Sequence, residues 1–399
     1  MLNLMKLAVS VGLTLVVAGC GVDPAKVPSH AVYAKHGDVV KTKGKVSFAV
    51  VGTTRSVAYG VRGEPTVPAE TIADVRSQLA VRGLDFVVLT GGFVRRSTND
   101  EWNAFDARWK DLLDGQTTSD NKSRRAVLPL PGPGELLADR RLQGYGAAFP
   151  DAGAPIGYNR VASWSHVDVD LGKTTWRLLF LDSNKSALGS RWNEQLFWLP
   201  KVIADDSYDK LVVFMSDPRL TLAQGEKMNR GGAPTELIDI IEEEAGVMKL
   251  MAVVSGGPAT NEMFLPSGIF GEAYVVAGNS GIGMPTLLKA GAADVAGYKD
   301  VGLDPFFDTA LMGEFNTWSE DLEFPETVIN KAKSRGEWET YTGRYDGDSF
   351  PVTGWWVVTL EGEDVELTFR MRRHDGSFHD LYVSRFKRGK GWQPQATRY

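Results

Sequence analysis

Side chains that could do chemistry are sparse at the places where an α/β protein usually gathers them. Five apolar runs each end in a turn, and reactive groups of α/β sheets lie in the loops after the strands. The turns read Gly52-Thr53, Gly91-Gly92, Gly132-Pro133-Gly134-Glu135, Asp217-Pro218 and Gly256-Gly257-Pro258-Ala259. Carboxylates and imidazoles are the groups that hold divalent metals, and only Glu135 and Asp217 supply one. These turns therefore predict little metal chemistry.

Four arginines close to these turns offer a different chemistry. They are Arg55, Arg95, Arg96 and Arg219. A guanidinium is a permanent cation whose fork of donors suits phosphate or carboxylate, so a metal-free cleft that binds a small anion is one interpretation. The simpler interpretation, which the sequence favours, is a set of solvated arginines on surface loops.

Other catalytic patterns are missing or weak. The sequence has no Gly-x-Ser-x-Gly turn, and its glycine-rich segment 278–283 lacks the Lys-Ser/Thr of a phosphate-binding P-loop. The single cysteine, Cys20, and the five histidines lie away from the turns, so Ser/His or Cys/His catalysis is not expected. His374 and His379 flank Asp375-Gly376, a dipeptide typical of a hairpin, and are interpreted as hairpin residues rather than as metal ligands.

The elements that must position these turns alternate between strands and helices. Apolar, β-branched runs predict strands at 46–51, 85–90, 125–130, 167–171, 175–181, 211–215, 250–254 and 273–277. Helical spacing predicts helices at 69–81, 100–113, 193–202 and 234–244. Alternating runs predict an antiparallel meander at 355–360, 365–371 and 381–386. Trp355 and Trp356 must point to opposite faces of their strand, which leaves one of them to be exposed. The pattern indicates an α/β fold.

Taken in order, these runs and turns resemble the calcineurin-like metallophosphoesterases. The matching phrases are 48–52, 85–94, 179–184 and Gln195-Leu196-x-Trp198-Leu199, and the resemblance extends over roughly residues 46–285. It implies a four-layer α/β/β/α sandwich, with a core at 44–290 and a C-terminal extension and β-meander at 291–399 that completes the fold. It also implies a hydrolytic site at the strand ends that uses two divalent metals.

At the positions where that family carries metal ligands, this chain carries other residues. The degenerate positions are Thr53, Arg55, Gly92, Pro133, Gly134, Asp217, Gly257 and Ala259. Glycine and alanine side chains cannot coordinate a metal, and one carboxylate is far short of what two metals need. The expectation is a pseudoenzyme with no catalytic residue, metal or cofactor, which binds or scaffolds. The alternative is an active phosphoesterase with a divergent site, for which the remaining ligands would be Asp182, Asn184, Asp217 and Glu135.

The first twenty residues have the pattern of a bacterial lipoprotein signal. Lys6 precedes an apolar run at 7–17 that is too short to span a membrane, and Val17-Ala18-Gly19-Cys20 matches a lipobox. The expected organisation is a signal peptide at 1–19, then a lipidated Cys20 and a polar tether at 20–43. Because Gly21 rather than aspartate follows, we expect the outer membrane if the host is Gram-negative.

The net charge narrows the choice of partners. A formal charge of −6 argues against nucleic acid, which requires a basic face. The expected partners are the membrane, through the lipid on Cys20, and a protein or a small anionic ligand.

Overall fold

The structure is a computed structural model that describes most of the 399 residues. The described residues are 22–52, 57–58, 61–62, 67–113, 116–117, 123–124, 127–137, 139, 141–153, 162–219, 234–257, 261–264, 271–278, 280, 344–345, 348–349, 353–372 and 376–396. The predicted signal peptide, Cys20, Thr53, Arg55, Ala259, His374 and the segment 281–343 lie outside them.

The strands are β1 (Val39–Lys41), β2 (Lys45–Val51), β3 (Val57–Ala58), β4 (Val61–Arg62), β5 (Phe86–Leu89), β6 (Gln116–Thr117), β7 (Ser123–Arg124), β8 (Val127–Pro129), β9 (Ser165–Asp170), β10 (Thr175–Leu181), β11 (Lys210–Met215), β12 (Leu250–Ser255), β13 (Asn261–Phe264), β14 (Ala273–Ala277), β15 (Arg344–Tyr345), β16 (Asp348–Ser349), β17 (Gly354–Glu361), β18 (Asp364–Arg372), β19 (Phe378–Lys387) and β20 (Gly391–Ala396). The helices are α1 (Val67–Val81), α2 (Asn99–Leu113), α3 (Pro133–Leu137), α4 (Gln143–Ala148), α5 (Lys185–Leu188), α6 (Arg191–Ile203) and α7 (Thr235–Lys249), and Pro24–Lys26 form a short 3₁₀ helix. The predicted strands and helices fall on these elements with shifted ends.

Two seven-stranded sheets form the centre of the molecule. The first sheet has the order β20-β19-β18-β17-β2-β5-β8, and the second has the order β1-β9-β10-β11-β12-β14-β13. β2, β5 and β8 run parallel, as do β10, β11, β12 and β14. The C-terminal meander joins the first sheet, since β17 pairs antiparallel with β2 and places Val357 opposite Ala49.

The sheets pack face to face and helices cover their outer faces. Phe48 of the first sheet and Phe214 of the second bring their ring centroids to 6.1 Å, which marks the apolar layer between the sheets. Asp74 of α1 accepts a hydrogen bond from Trp355 Nε1 at 3.0 Å on the outside of the first sheet. α6 and α7 bury their apolar faces on the outside of the second sheet. The predicted four-layer α/β/β/α sandwich is therefore confirmed.

The expectation about the adjacent tryptophans fails, because both faces of β17 are covered. Trp355 and Trp356 are each 0% exposed, because one faces α1 and the other packs on Phe369 with ring centroids 4.9 Å apart. The prediction that one of them is exposed is wrong.

The N-terminal segment also differs from the predicted tether. β1 pairs with β9, Tyr33 donates its backbone N–H to Val127 O at 2.9 Å, and Val27 and Val32 are buried. Residues 22–41 are therefore part of the domain. Their polar composition hid this, because the few apolar side chains that they contribute are irregularly spaced.

Among the described residues, no helix combines the length and the apolar character needed to cross a membrane.

Candidate functional site

The candidate site lies where the parallel strands of both sheets end. β2, β5 and β8 of the first sheet present their carboxyl ends at one edge, and β10, β11, β12 and β14 of the second sheet do the same. Loops at the carboxyl ends of strands converge on a common crevice in α/β folds. This edge therefore holds the turns that the sequence singled out.

Backbone contact closes the crevice between the two sheets. A Cβ atom placed on Gly52, after β2, would lie 1.7 Å from Ala277 O at the end of β14. A Cβ atom placed on Gly256, after β12, would lie 1.8 Å from Thr90 O, after β5. The Gly52 N–H donates to Ser280 Oγ at 3.2 Å, which extends the contact. Glycine is needed at both positions because the main chains touch where a side chain would otherwise stand.

The turns within the first sheet are equally close. Gly91 has φ of +92°, a value that favours glycine, and its added Cβ would lie 2.8 Å from Gly132 Cα. Gly92 follows with φ of 74°. The turns after β5 and β8 therefore pack directly on each other, through residues without side chains.

A buried carboxylate ties these two turns together. Glu135, at 0% exposure, accepts the N–H of Gly132 at 2.7 Å and of Gly92 at 3.1 Å on Oε2. Its Oε1 accepts the N–H of Val94 at 2.9 Å. Hydrogen bonds from backbone N–H groups to a carboxylate are short and strong. Glu135 therefore acts as a cross-link, and the lone pairs that a metal would use are turned to the main chain.

The ends of β10 and β11 keep a polar cluster. Asn184 donates its backbone N–H and its Nδ2 to Asp182 Oδ1, at 2.9 and 3.1 Å. Ser183 Oγ donates to Asp217 Oδ2 at 2.6 Å and lies 2.9 Å from Ser216 Oγ. Gln195 of α6 fixes the strand end, because it exchanges two hydrogen bonds with the backbone of Asp182.

Asp182 is the least satisfied member of this cluster. It is 0% exposed, and within the described part of the chain neither its Oδ2 nor the neighbouring Ser163 Oγ makes a hydrogen bond of good geometry. Burial raises the pKa of the Asp182 carboxyl, and the nearby Ser163 hydroxyl and Asn184 oppose that shift. The charged form is therefore disfavoured at this position.

Tyr145 of α4 lies close enough to Asp182 and Glu135 for both carboxyl groups to influence it electrostatically. Its pKa is raised well above its ordinary value, first by burial and then by the charges of Asp182 and Glu135. Its hydroxyl donates to Pro129 O at 2.9 Å. The two buried carboxyl groups therefore share one crevice although they belong to different sheets.

The structure distributes the predicted arginines over separate elements. Arg95 and Arg96 follow β5, and their backbone N–H groups donate to Glu101 Oε2 at 3.0 and 2.6 Å. Arg96 is exposed, as the solvated-loop interpretation predicts for it. Arg219 follows β11, and its Nε is buried with no hydrogen bond among the described residues.

Sequence reasoning missed a histidine pair on the second sheet. His36 and His166 lie edge to face with centroids 4.7 Å apart, and His166 donates its backbone N–H to His36 Nδ1 at 3.3 Å. Burial, Arg177 and His36 lower the pKa of His166 to about 4. Burial followed by Arg177 also lowers the pKa of His36. Only the packing of residues 22–41 brings this pair together, so no local signal could reveal it.

The described residues of the turns do not fit a two-metal site. Gly92, Pro133, Gly134 and Gly257 offer no ligand atoms, Gly52 and Gly256 contact the backbone, and both Glu135 oxygens bind N–H groups. No group of three or more His, Cys, Asp or Glu side chains that could hold a metal occurs in the described part of the chain. The family resemblance places a metal-bridging carboxylate at the position of Gly92, which has no side chain.

Comparison with known proteins supports the fold and leaves the chemistry open. No family model matches the sequence, and no curated protein matches it. A purple acid phosphatase from yellow lupin (Lupinus luteus) seeds matches with a TM-score of 0.53 and 12% identity, over 90% of this chain and 55% of that one. PhoD matches with a TM-score of 0.51 and 12% identity, over 92% of this chain and 73% of that one. The chain thus spans about half the length of the first of these structures. The protein has the metallophosphoesterase-like α/β fold.

Proposed function

We propose that this protein is a lipid-anchored protein of the bacterial cell envelope whose metallophosphoesterase-like domain binds or scaffolds a partner and has lost metal-dependent hydrolysis. The observation that carries the proposal is the backbone contact at the strand ends, where Gly52 meets Ala277 and Gly256 meets Thr90. Two metals about 3.5–4 Å apart need an open space lined by ligands from several turns. At Gly52 and Gly256 the main chains of the two sheets are instead in direct contact, and Gly92, Pro133 and Gly257 supply no ligand side chain.

Anchoring is supported by the sequence alone. Val17-Ala18-Gly19-Cys20 has the spacing of a lipobox after a short apolar run. Acyl chains on Cys20 would hold the protein at a membrane, because each buried methylene adds about 0.8 kcal/mol of membrane affinity. The partner of the domain is then a protein or a small anionic ligand of the envelope.

Elemental analysis by mass spectrometry tests the loss of metal chemistry. The full chain would be extracted in detergent, purified without chelator, and measured before and after incubation with excess Mn, Fe, Zn, Co and Ni. We expect near-zero stoichiometry in both samples. One or two equivalents of tightly held metal would overturn the proposal.

An active phosphoesterase with a divergent site is the second candidate, and the cluster at the ends of β10 and β11 favours it. Among the described residues, the buried Asp182 Oδ2 makes no hydrogen bond of good geometry, and Asp217 lies two residues after β11 within reach of Ser183. Hydrolysis of a phosphomonoester or phosphodiester that is lost in both Asp182→Asn and Asp217→Asn would support this candidate. Activity unchanged in both variants would exclude this cluster as its site.

A metal-free anion site is the third candidate, and the buried Nε of Arg219 favours it. If it is correct, Arg219→Ala abolishes phosphate binding in titration calorimetry while Arg96→Ala, at an exposed position, retains it. Equal binding by both variants would contradict the role of Arg219.

A further inference from the structure

The segment just after Cys20 is fixed to the domain at one point. The Asp23 N–H donates to Asn99 Oδ1 at 2.9 Å, and Asn99 Nδ2 donates to Asp23 O at 2.7 Å. Asn99 is the first residue of α2. Val27 is buried in the core and Val22 packs against it. The chain therefore does not swing freely from residue 22 onwards.

This anchor leaves a short connection to Cys20. Asp23 is the third residue after Cys20, and three residues span at most about 10 Å. A flexible tether over the 24 residues from 20 to 43 would reach roughly 27 Å on average. Anything attached to Cys20 is consequently held within about 10 Å of the start of α2.

The start of α2 lies at the crevice end of the molecule. α2 follows the carboxyl end of β5, after the turn that contains Gly91 and Gly92. The opposite end carries the turn of Gly172 and Lys173 between β9 and β10. A seven-residue strand such as β10 separates the two ends by roughly 23 Å.

We propose that the lipid on Cys20 fixes the orientation of the domain, with the Asn99 face against the phospholipid headgroups of the bilayer. The Asn99 face comprises residues 95–99 and the 3₁₀ helix Pro24–Lys26. This inference rests on the proposed lipidation. It places the closed crevice towards the membrane and the Gly172-Lys173 turn towards the envelope space, where a partner would meet it.

The charges on this face suit a headgroup layer but do not hold it there. Arg96 and Asp100 are exposed, and Lys26 pairs with Asp23 at 3.2 Å. Glu101 is occupied with the N–H groups of Arg95 and Arg96. Positive and negative side chains balance on this face. The orientation is therefore set by the short covalent connection to the lipid and not by attraction to anionic lipid. The orientation should therefore withstand salt, which screens exposed charges.

Site-specific labelling of the lipidated full chain in phosphatidylcholine vesicles tests the orientation. Cys20 is the only cysteine and lipid consumes its thiol, so a second cysteine takes the label alone. Arg96→Cys places a fluorophore on the Asn99 face, and Lys173→Cys is the matched control, since both replace an exposed basic residue of a loop. We expect spin-labelled headgroups to quench the label at position 96 strongly, and the label at position 173 hardly more than a label on a soluble protein.

A longer connection provides the second arm of the test. A Gly/Ser linker of about 20 residues between Gly21 and Val22 adds a reach of roughly 25 Å, and it should erase the difference between the two positions while the lipid stays. Lack of lipid on the N-terminal peptide, measured by its mass, would overturn both the anchoring and the orientation. Lipid with equal quenching at positions 96 and 173, or a linker without effect, would overturn the orientation alone.

Discussion

The two sheets end at the same edge, yet each treats its buried carboxyl group differently. Glu135 stands beside the first sheet and accepts three backbone N–H groups. Asp182 directly follows β10 of the second sheet, and in the described part of the chain its Oδ2 makes no hydrogen bond of good geometry. Both side chains are 0% exposed. Glu135 is a structural cross-link, whereas Asp182 has one oxygen that makes no hydrogen bond of good geometry with the described residues.

The difference shows which side of the crevice keeps polar side chains. Glycine turns let the main chains of both sheets touch at Gly52 and Gly256, and Glu135 connects the turns after β5 and β8. The ends of β10 and β11 keep serine, asparagine and aspartate in one hydrogen-bonded cluster. A ligand that binds in this crevice would meet the second group of residues.

Gly52→Ala should cause the largest loss of stability, because it places a side chain where the main chains of the two sheets touch. The new Cβ would stand 1.7 Å from Ala277 O, so the main chains must separate. We expect a loss of about 3 kcal/mol or more in the free energy of unfolding, since overpacking a rigid backbone is costly. Chemical denaturation followed by circular dichroism measures it.

Gly146→Ala in α4 is the matched control for this glycine. Its Cβ would meet nothing within 4 Å, and alanine favours a helix by up to about 1 kcal/mol. A loss in Gly52→Ala no larger than the change in Gly146→Ala would refute the claim that backbone contact closes the crevice.

Glu135→Gln tests the carboxylate cross-link itself. Glutamine can keep one acceptor oxygen for Gly92 and Gly132, but its amide then faces the N–H of Val94. We expect a loss of about 2–3 kcal/mol in the free energy of unfolding, the usual range for hydrogen bonds to a charged group.

Glu101→Gln is the control for this carboxylate. Arg95 and Arg96 both donate their backbone N–H groups to Glu101 Oε2, and the amide oxygen of glutamine can accept both of these hydrogen bonds. The expected loss is below about 1 kcal/mol because the site is partly open to water. Equal losses in the two variants would mean that the Glu135 contacts carry no special weight.

The pH dependence of stability tests the His36–His166 pair, which lies outside the crevice. The pKa of His166 falls from 6.5 to about 4 on folding, so the folded state favours the neutral ring. The contribution of His166 to stability is therefore fully present above pH 6.5, declines as the pH falls towards 4, and is fully lost below pH 4. His166→Gln should remove a loss of about 1–3 kcal/mol between these pH values, measured by urea unfolding.

His379→Gln, on β19, provides the control for replacing a histidine. It should keep the pH dependence that the unmodified protein shows between pH 6.5 and 4. If His166→Gln also keeps it, the fall in stability comes from other groups, and the assignment to the His36–His166 pair fails.

Asp182→Asn should have the smallest effect and thus sharpen the contrast with Glu135. Because burial raises the pKa of Asp182, the ionised form costs the folded state stability as pH rises. An asparagine can keep the acceptor for Asn184 and turn its amide to Ser163. We expect a change below about 1 kcal/mol at pH 7, with either sign. A loss as large as that in Glu135→Gln would abolish the distinction between the two sides.

Much of the fold could be predicted from local patterns. Runs of apolar side chains predict strands such as 175–181 and 250–254, and the spacing of apolar side chains predicts helices such as 100–113. The resemblance in the order of the turns then predicts the four-layer sandwich. The burial of Trp355 and Trp356 could not be predicted, because a strand does not reveal which of its faces will be covered.

Only some features of the candidate site could be predicted from the sequence. Missing ligands at Gly92, Pro133 and Gly257 follow from residue identity alone, since these residues cannot coordinate a metal. The role of Glu135 could not be predicted from the sequence. Two of its three backbone donors, Gly92 and Val94, lie 43 and 41 residues away in the chain, and only Gly132 belongs to the same turn. The same holds for the packed segment 22–41, whose hydrogen bonds go to distant strands.

By itself the sequence determined the order of elements and the poverty of chemical groups at the turns, because both depend on residue type and near neighbours. Only the tertiary structure decided that the main chains touch at Gly52 and Gly256, that Glu135 binds the turns together, and that Asp23 is fixed to Asn99. These are contacts between residues far apart in the chain, and they form only when the elements that carry them have packed together.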